Sequence, residues 1–112
     1  MSILAELNGL LTPILPVETG IFSGVPPDEY IVITPMTDSF ELYCDDRPLS
    51  EVSEVRLSLF TKGSYTARAR EITAVLIDAD FTVTYRRYIG LENDTVYHGY
   101  AIDVAKTYEM ED

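Results

Sequence analysis

Apolar residues recur at helical spacing in two stretches of the chain and at strand spacing through most of the rest. Ile3, Leu4, Leu7, Leu10 and Leu11 fall on one side of a helix that Ser2 can cap, and Pro13 and Pro16 end it. Its leucines are expected to lie on the sheet or on a neighbouring subunit. Pro16 to Tyr30 holds Gly20, Gly24 and the Pro26-Pro27 pair, which suit turns and extended backbone. It reads as a loop region with room for one short strand around Ile21 and Phe22.

Tyr30–Thr34 and Ser39–Cys44 are rich in β-branched and aromatic residues, and the turn-like Pro35-Met36-Thr37-Asp38 separates them, so they read as paired strands. Asp45-Asp46-Arg47-Pro48 ends the second. From Glu54 to Thr61, Val55, Leu57 and Leu59 alternate with Arg56 and Ser58, which predicts a strand with one wet face. Lys62-Gly63 breaks it. Ser64 caps a helix from Tyr65 to about Asp78 that buries Tyr65, Ala69, Ile72, Val75, Leu76 and Ala79. Phe81–Ile89 and Val96–Tyr108 form two long strands joined as a hairpin through Gly90–Thr95. The order helix, three strands, helix, two strands predicts one α+β domain over residues 1–112. Its sheet is mainly antiparallel, with two helices packed on one face.

Composition agrees with one core: the chain has 112 residues, 46% of them apolar, with eight Tyr, four Phe and no Trp. No apolar run approaches the ~20 residues that span a bilayer, and the Met-Ser-Ile-Leu-Ala start lacks a basic signal region, so a cytosolic setting is expected. The single cysteine, Cys44, excludes an internal disulfide and a multi-cysteine zinc site, and reads as a buried strand thiol.

The formal charge of −11 opposes binding to phosphate backbones and anionic lipids, so neither membrane association nor sequence-specific nucleic-acid recognition is expected. An acidic mimic of nucleic acid, inhibiting a host enzyme, is compatible with that charge. The charge is also uneven. Asp28 to Glu54 carries eight carboxylates (Asp28, Glu29, Asp38, Glu41, Asp45, Asp46, Glu51, Glu54) against Arg47, while Lys62 to Arg87 has Lys62, Arg68, Arg70, Arg86 and Arg87 against Glu71, Asp78 and Asp80. Either these are solvated faces with weak ion pairs, or an acidic face of one copy meets a basic face of the next, head to tail.

Reactive chemistry has little to build on. His98 is the only histidine, and in a strand it shares a face with Tyr100, Ile102 and Val104, whereas Asp103 points away. It reads as a structural sheet residue. Cys44 could reach it only if two distant strands aligned them. Asp45-Asp46 and Asn93-Asp94 lack the ligand alternation and central glycine of a calcium loop and read as turns. The glycines form no phosphate cradle, so no cofactor, metal or catalytic residue is assigned.

Two blocks carry a family resemblance. One is Gly20-Ile21-Phe22-Ser23-Gly24 with Pro26-Pro27-Asp28-Glu29-Tyr30-Ile31-Val32-Ile33-Thr34-Pro35; the other is Tyr85-Arg86-Arg87-Tyr88-Ile89-Gly90 with Tyr97-His98-Gly99-Tyr100-Ala101-Ile102-Asp103-Val104-Ala105-Lys106. With the element order, they make the chain resemble the tail-completion proteins, or tail terminators, of long-tailed phages and prophages. The resemblance implies a non-enzymatic homo-oligomer, typically a ring of six, that caps the tail tube protein and faces the head connector protein. It would assemble in the host cytoplasm and reside at the head-proximal end of the tail. The Gly20–Tyr30 loop with Phe22, Asp28 and Glu29, and the acidic region with Asp38, Asp45 and Asp46, are the expected protein-facing side. Arg68, Arg70, Arg86 and Arg87 are its complement. A head-completion or connector protein would share these traits.

Overall fold

A computed structural model describes residues 2–20, 24–44 and 47–109; the side chains of 41–44 and 48 are not described. In chain order the elements are α1 (Ile3–Leu11), β1 (Val17–Thr19), β2 (Glu29–Cys44), β3 (Arg47–Thr61), α2 (Tyr65–Asp78), β4 (Thr82–Leu91) and β5 (His98–Glu109). The five strands form one sheet in the order β1-β2-β3-β5-β4. Every pairing is antiparallel except β1 with β2. The fold is therefore α+β with a mostly antiparallel sheet and two helices.

Both helices begin where a hydroxyl can satisfy an otherwise unpaired amide. Ser2 Oγ accepts from the Ala5 amide at 3.2 Å, and Ser64 Oγ from the Ala67 amide at 3.3 Å. Just past the end of α2, Asp80 takes a left-handed φ of 67°, and the Phe81 amide donates back to the Leu76 carbonyl. That reversal drops Phe81 into the core.

Cross-strand register sorts the sheet into two faces. Ile31 lies opposite Leu59, which lies opposite Tyr100; Ile33, Leu57 and Ile102 form the next row, and Pro35, Val55 and Val104 the third. This face meets Leu7, Leu11, Ile72 and Leu76 of the helices in one core, so both helices cover the same side. The other face carries Thr34, Arg56, Asp103 and Tyr85 in one row, and no helix of the described residues covers it. At one end Tyr30 stacks on Phe60 with centroids 5.0 Å apart and meets the edge of Tyr97. The Tyr97 hydroxyl donates to the Pro27 carbonyl, pinning the Pro26-Pro27 loop to the sheet.

Three boundaries differ from the sequence expectation. The two strands predicted at Tyr30–Thr34 and Ser39–Cys44 are one continuous β2, and the strand expected from Glu54 begins at Arg47. Pro35-Met36-Thr37-Asp38 is a β-bulge and not a turn. Proline's φ suits a strand, and at a bulge its missing N–H leaves no ladder bond broken. Pro48 is tolerated for a related reason, since it lies beyond the reach of β5, whose pairing with β3 starts at Ser50. A short strand exists in the connecting stretch, at Val17–Thr19; the position expected for it, Ile21 and Phe22, lies outside the described residues.

The β4–β5 connection is closed by Glu92 N–H to the Tyr97 carbonyl at 2.9 Å and Val96 N–H to the Glu92 carbonyl at 2.8 Å. It forces Val96 to a φ of 54°, where a β-branched side chain is strained. Val96 is also exposed, so little packing is lost on replacing it. Val96→Asn is expected to raise unfolding free energy by about 1 kcal/mol in chemical denaturation, because asparagine tolerates the left-handed region.

Candidate functional site

The charged residues singled out from the sequence divide into those that satisfy each other and those left at the surface. Arg68 Nε lies 2.5 Å from Glu29 and its Nη1 2.8 Å from Glu71, so this arginine bridges the start of β2 to the first turns of α2. The hydrogen bonds that it donates to Glu29 and then to Glu71 raise the guanidinium pKa. Lys62 Nζ is 3.4 Å from Asp28. Glu29 and Asp28 thus meet Arg68 and Lys62 within one molecule, and these members of the acidic and basic sets are already partnered.

Arg70, Arg86 and Arg87 are exposed and make no ion pair with another described residue. Arg70 lies on α2. Arg86 and Arg87 lie on β4, the last strand of the sheet. On the opposite border, Asp38 is exposed on β2 and accepts a 2.6 Å hydrogen bond from Ser53. Phe22, Asp45 and Asp46 lie outside the described residues.

Both borders also expose apolar side chains: Met36 and Phe40 on β2, and Tyr85, Tyr88, Ile89 and Leu91 on β4. In β4 the pattern follows from two bulges, between Val83 and Tyr85 and between Tyr88 and Gly90. They leave Tyr85–Tyr88 as a regular four-residue run whose outward edge has no strand beside it among the described residues. Gly99 lies opposite Gly90, and a Cβ there would meet the Ile89 Cβ at 3.4 Å, an ordinary van der Waals contact.

His98 begins β5 on the helix side of the sheet, half-buried beside Tyr65, Tyr88 and Tyr100. Its Nδ1 is 3.0 Å from the Tyr88 hydroxyl. Asp103 is on the other face in a two-pronged pair with Arg56, Nε to Oδ1 at 2.8 Å and Nη2 to Oδ2 at 3.0 Å. The Asp103 hydrogen bond and charge raise the Arg56 pKa. Cys44 sits at the far end of β2, opposite Arg47, while His98 is level with Thr61 and Glu29. Fifteen residues of strand at ~3.3 Å each put roughly 50 Å between those ends, so Cys44 and His98 cannot act together. Among the described residues no group of three or more His, Cys, Asp or Glu could hold a metal, and no helix is long and apolar enough to cross a membrane.

Sequence reasoning missed a polar network joining α1 to β5. Lys106 Nζ donates to Glu6 at 2.7 Å and to the Ala79 carbonyl at 3.0 Å, and lies 4.5 Å from the Phe81 ring centroid. The Tyr108 hydroxyl donates to the other Glu6 oxygen at 2.6 Å. Burial opposes the Glu6 charge, but the bonds from Lys106 and Tyr108 outweigh it and hold the carboxyl below its ordinary range. Burial, then the Glu6 hydrogen bond and charge, push Tyr108 far above the usual phenol range. Alternation on β5 places Lys106 and Tyr108 on the helix side, but nothing local names a partner a hundred residues away.

No family model matches the sequence, and no curated protein matches it well enough to count as a relative. Among solved structures, one chain of 15% sequence identity aligns over 98% of this chain and 89% of its own length, with a TM-score of 0.49. A likeness at that level assigns no function.

Proposed function

We propose that this chain is a structural subunit of a ring resembling the phage tail terminators, one that caps a tail tube and takes part in head–tail joining. The observation that carries the reading is the opposite character of the two sheet borders: arginines with no ion pair among the described residues and exposed tyrosines on β4, and Asp38 with exposed apolar residues on β2. A border of each kind on every copy suits a head-to-tail contact, the kind that closes into a ring when its rotation allows. Charge complementarity would set partner and register, while the exposed aromatics supply contact area. The sequence blocks that resemble tail terminators include β4 residues Tyr85–Gly90, so resemblance and exposed border coincide.

Multi-angle light scattering of the purified chain tests this. A defined oligomer is expected at physiological salt, shifting toward monomer at 1 M salt, where the screening length falls to about 3 Å. A monomer that persists at every concentration and salt would refute the ring.

A further inference from the structure

We propose that the contact between copies is made by backbone strand addition: the outward edge of β4 at Tyr85–Tyr88 in one copy pairs antiparallel with the outward edge of β2 beyond the bulge, from Thr37 on, in the next. This rests on the ring reading and specifies its interface.

The two edges are open for different reasons. β4 is last in the sheet, and among the described strands it pairs with β5 alone. β2 has β1 on its outer side only at Ile31–Ile33. Its remaining residues, to Cys44, pair with β3 alone among the described strands. Unpaired N–H and C=O rows of this kind are templates for another strand. Charge and bulges on an edge ordinarily guard against indiscriminate pairing, and β4 has both. Here the bulges limit the regular edge to four residues, and the charges of Arg86 and Arg87 select an acidic partner such as Asp38.

Direction and offset agree with this pairing. β3 is antiparallel to β2, β5 to β3 and β4 to β5, so β4 runs opposite to β2. Repeating the chain about an axis inclined to the strands by less than a right angle keeps each strand's sense along that axis, so β4 of one copy meets β2 of the next antiparallel with no reversal. Through the registers Tyr85 is level with Thr34, and Tyr88 with Ile31, which β1 covers. The next copy must therefore shift along the strands to reach the open part of β2. That shift is roughly 15–20 Å at ~3.3 Å per residue, over a four-strand width of roughly 19 Å at ~4.8 Å per strand. The resulting slope of roughly 40° matches in size the strand tilt of closed sheets. Side chains also sort by face: Arg86, opposite Ile102, and Asp38, opposite Ser53 beside Val55, both fall on the helix side.

Two charge-reversed variants test the pairing. Arg86→Glu/Arg87→Glu makes both borders acidic, and Asp38→Lys/Phe40→Lys makes both basic. Each alone is expected to associate at least roughly tenfold more weakly than the wild type, because like charges face each other. An equimolar mixture is expected to recover assembly, with the two variants alternating, which also shows that both are folded. In the wild type, amide exchange at Tyr85–Tyr88 should slow on assembly. A wild type that assembles while both variants assemble equally well, or a mixture that recovers nothing, overturns the strand pairing and leaves the ring. A wild type that stays monomeric overturns both.

Discussion

Leu7→Ala is expected to lower the unfolding free energy by about 2–5 kcal/mol, the range for emptying a leucine site in a packed core. Leu7 is fully buried on α1, facing a cluster that includes Ile33, Leu57 and Ile102 of three different strands. Loss of its side chain leaves a void that sheet residues cannot fill, since their rows are fixed by cross-strand register. The measurement is chemical denaturation at neutral pH with the midpoint and slope fitted separately. An unchanged slope with a lower midpoint keeps the two-state reading, whereas a reduced slope shows α1 loosening on its own. A loss under 1 kcal/mol would mean that α1 is not part of the core.

The second large effect concerns the charges that clamp α1. Lys106→Ala is expected to cost about 2–3 kcal/mol at neutral pH, because it strands the Glu6 carboxylate and removes two charge-assisted hydrogen bonds. Only 19% of the Lys106 side chain and 27% of the Glu6 side chain are exposed, so solvent screens the pair less than it does a surface bridge. The pH dependence follows from the two shifts. Glu6 has a depressed pKa, so its contribution is present above the ordinary carboxyl value of 4.5 and is lost as pH falls through the folded value. Tyr108 has a raised pKa, so its contribution is intact below the ordinary phenol value of 10.0 and is lost as pH rises beyond it. Glu6→Gln should flatten the acid limb and lower the Tyr108 pKa toward its ordinary range, a shift that ultraviolet titration of the phenol would read. An unchanged titration would show that Glu6 does not perturb Tyr108.

Local signals in the sequence were enough for some elements and not for others. α2 was legible because its start and its period are both local: Lys62-Gly63 breaks β3, Ser64 caps, and Ala69, Ile72 and Leu76 recur on one side. The alternation of Val55, Leu57 and Leu59 likewise marked the central strand. β2 was not legible as one strand, because Pro35 and Asp38 read locally as a turn, while the pairing that overrides them is with Val55 and Ser53 of β3, outside the window of a local reading. β1 is three residues long and pairs in parallel, which leaves too little pattern to detect. For the site, alternation correctly set Asp103 on the face away from His98, and Asp103 is taken up by Arg56. The charge pattern separated acidic from basic segments, but could not show that Arg68 is spent on Glu29, a partner 39 residues away.

The clamp on α1 also bears on timing. Its two side-chain links to β5 join residues 100 and 102 positions apart, so α1 cannot be fastened until β5 has been made. Such late, long-range closure slows folding. It also defers support of the β4 edge, because β5, the strand beside it in the sheet, follows it in the chain.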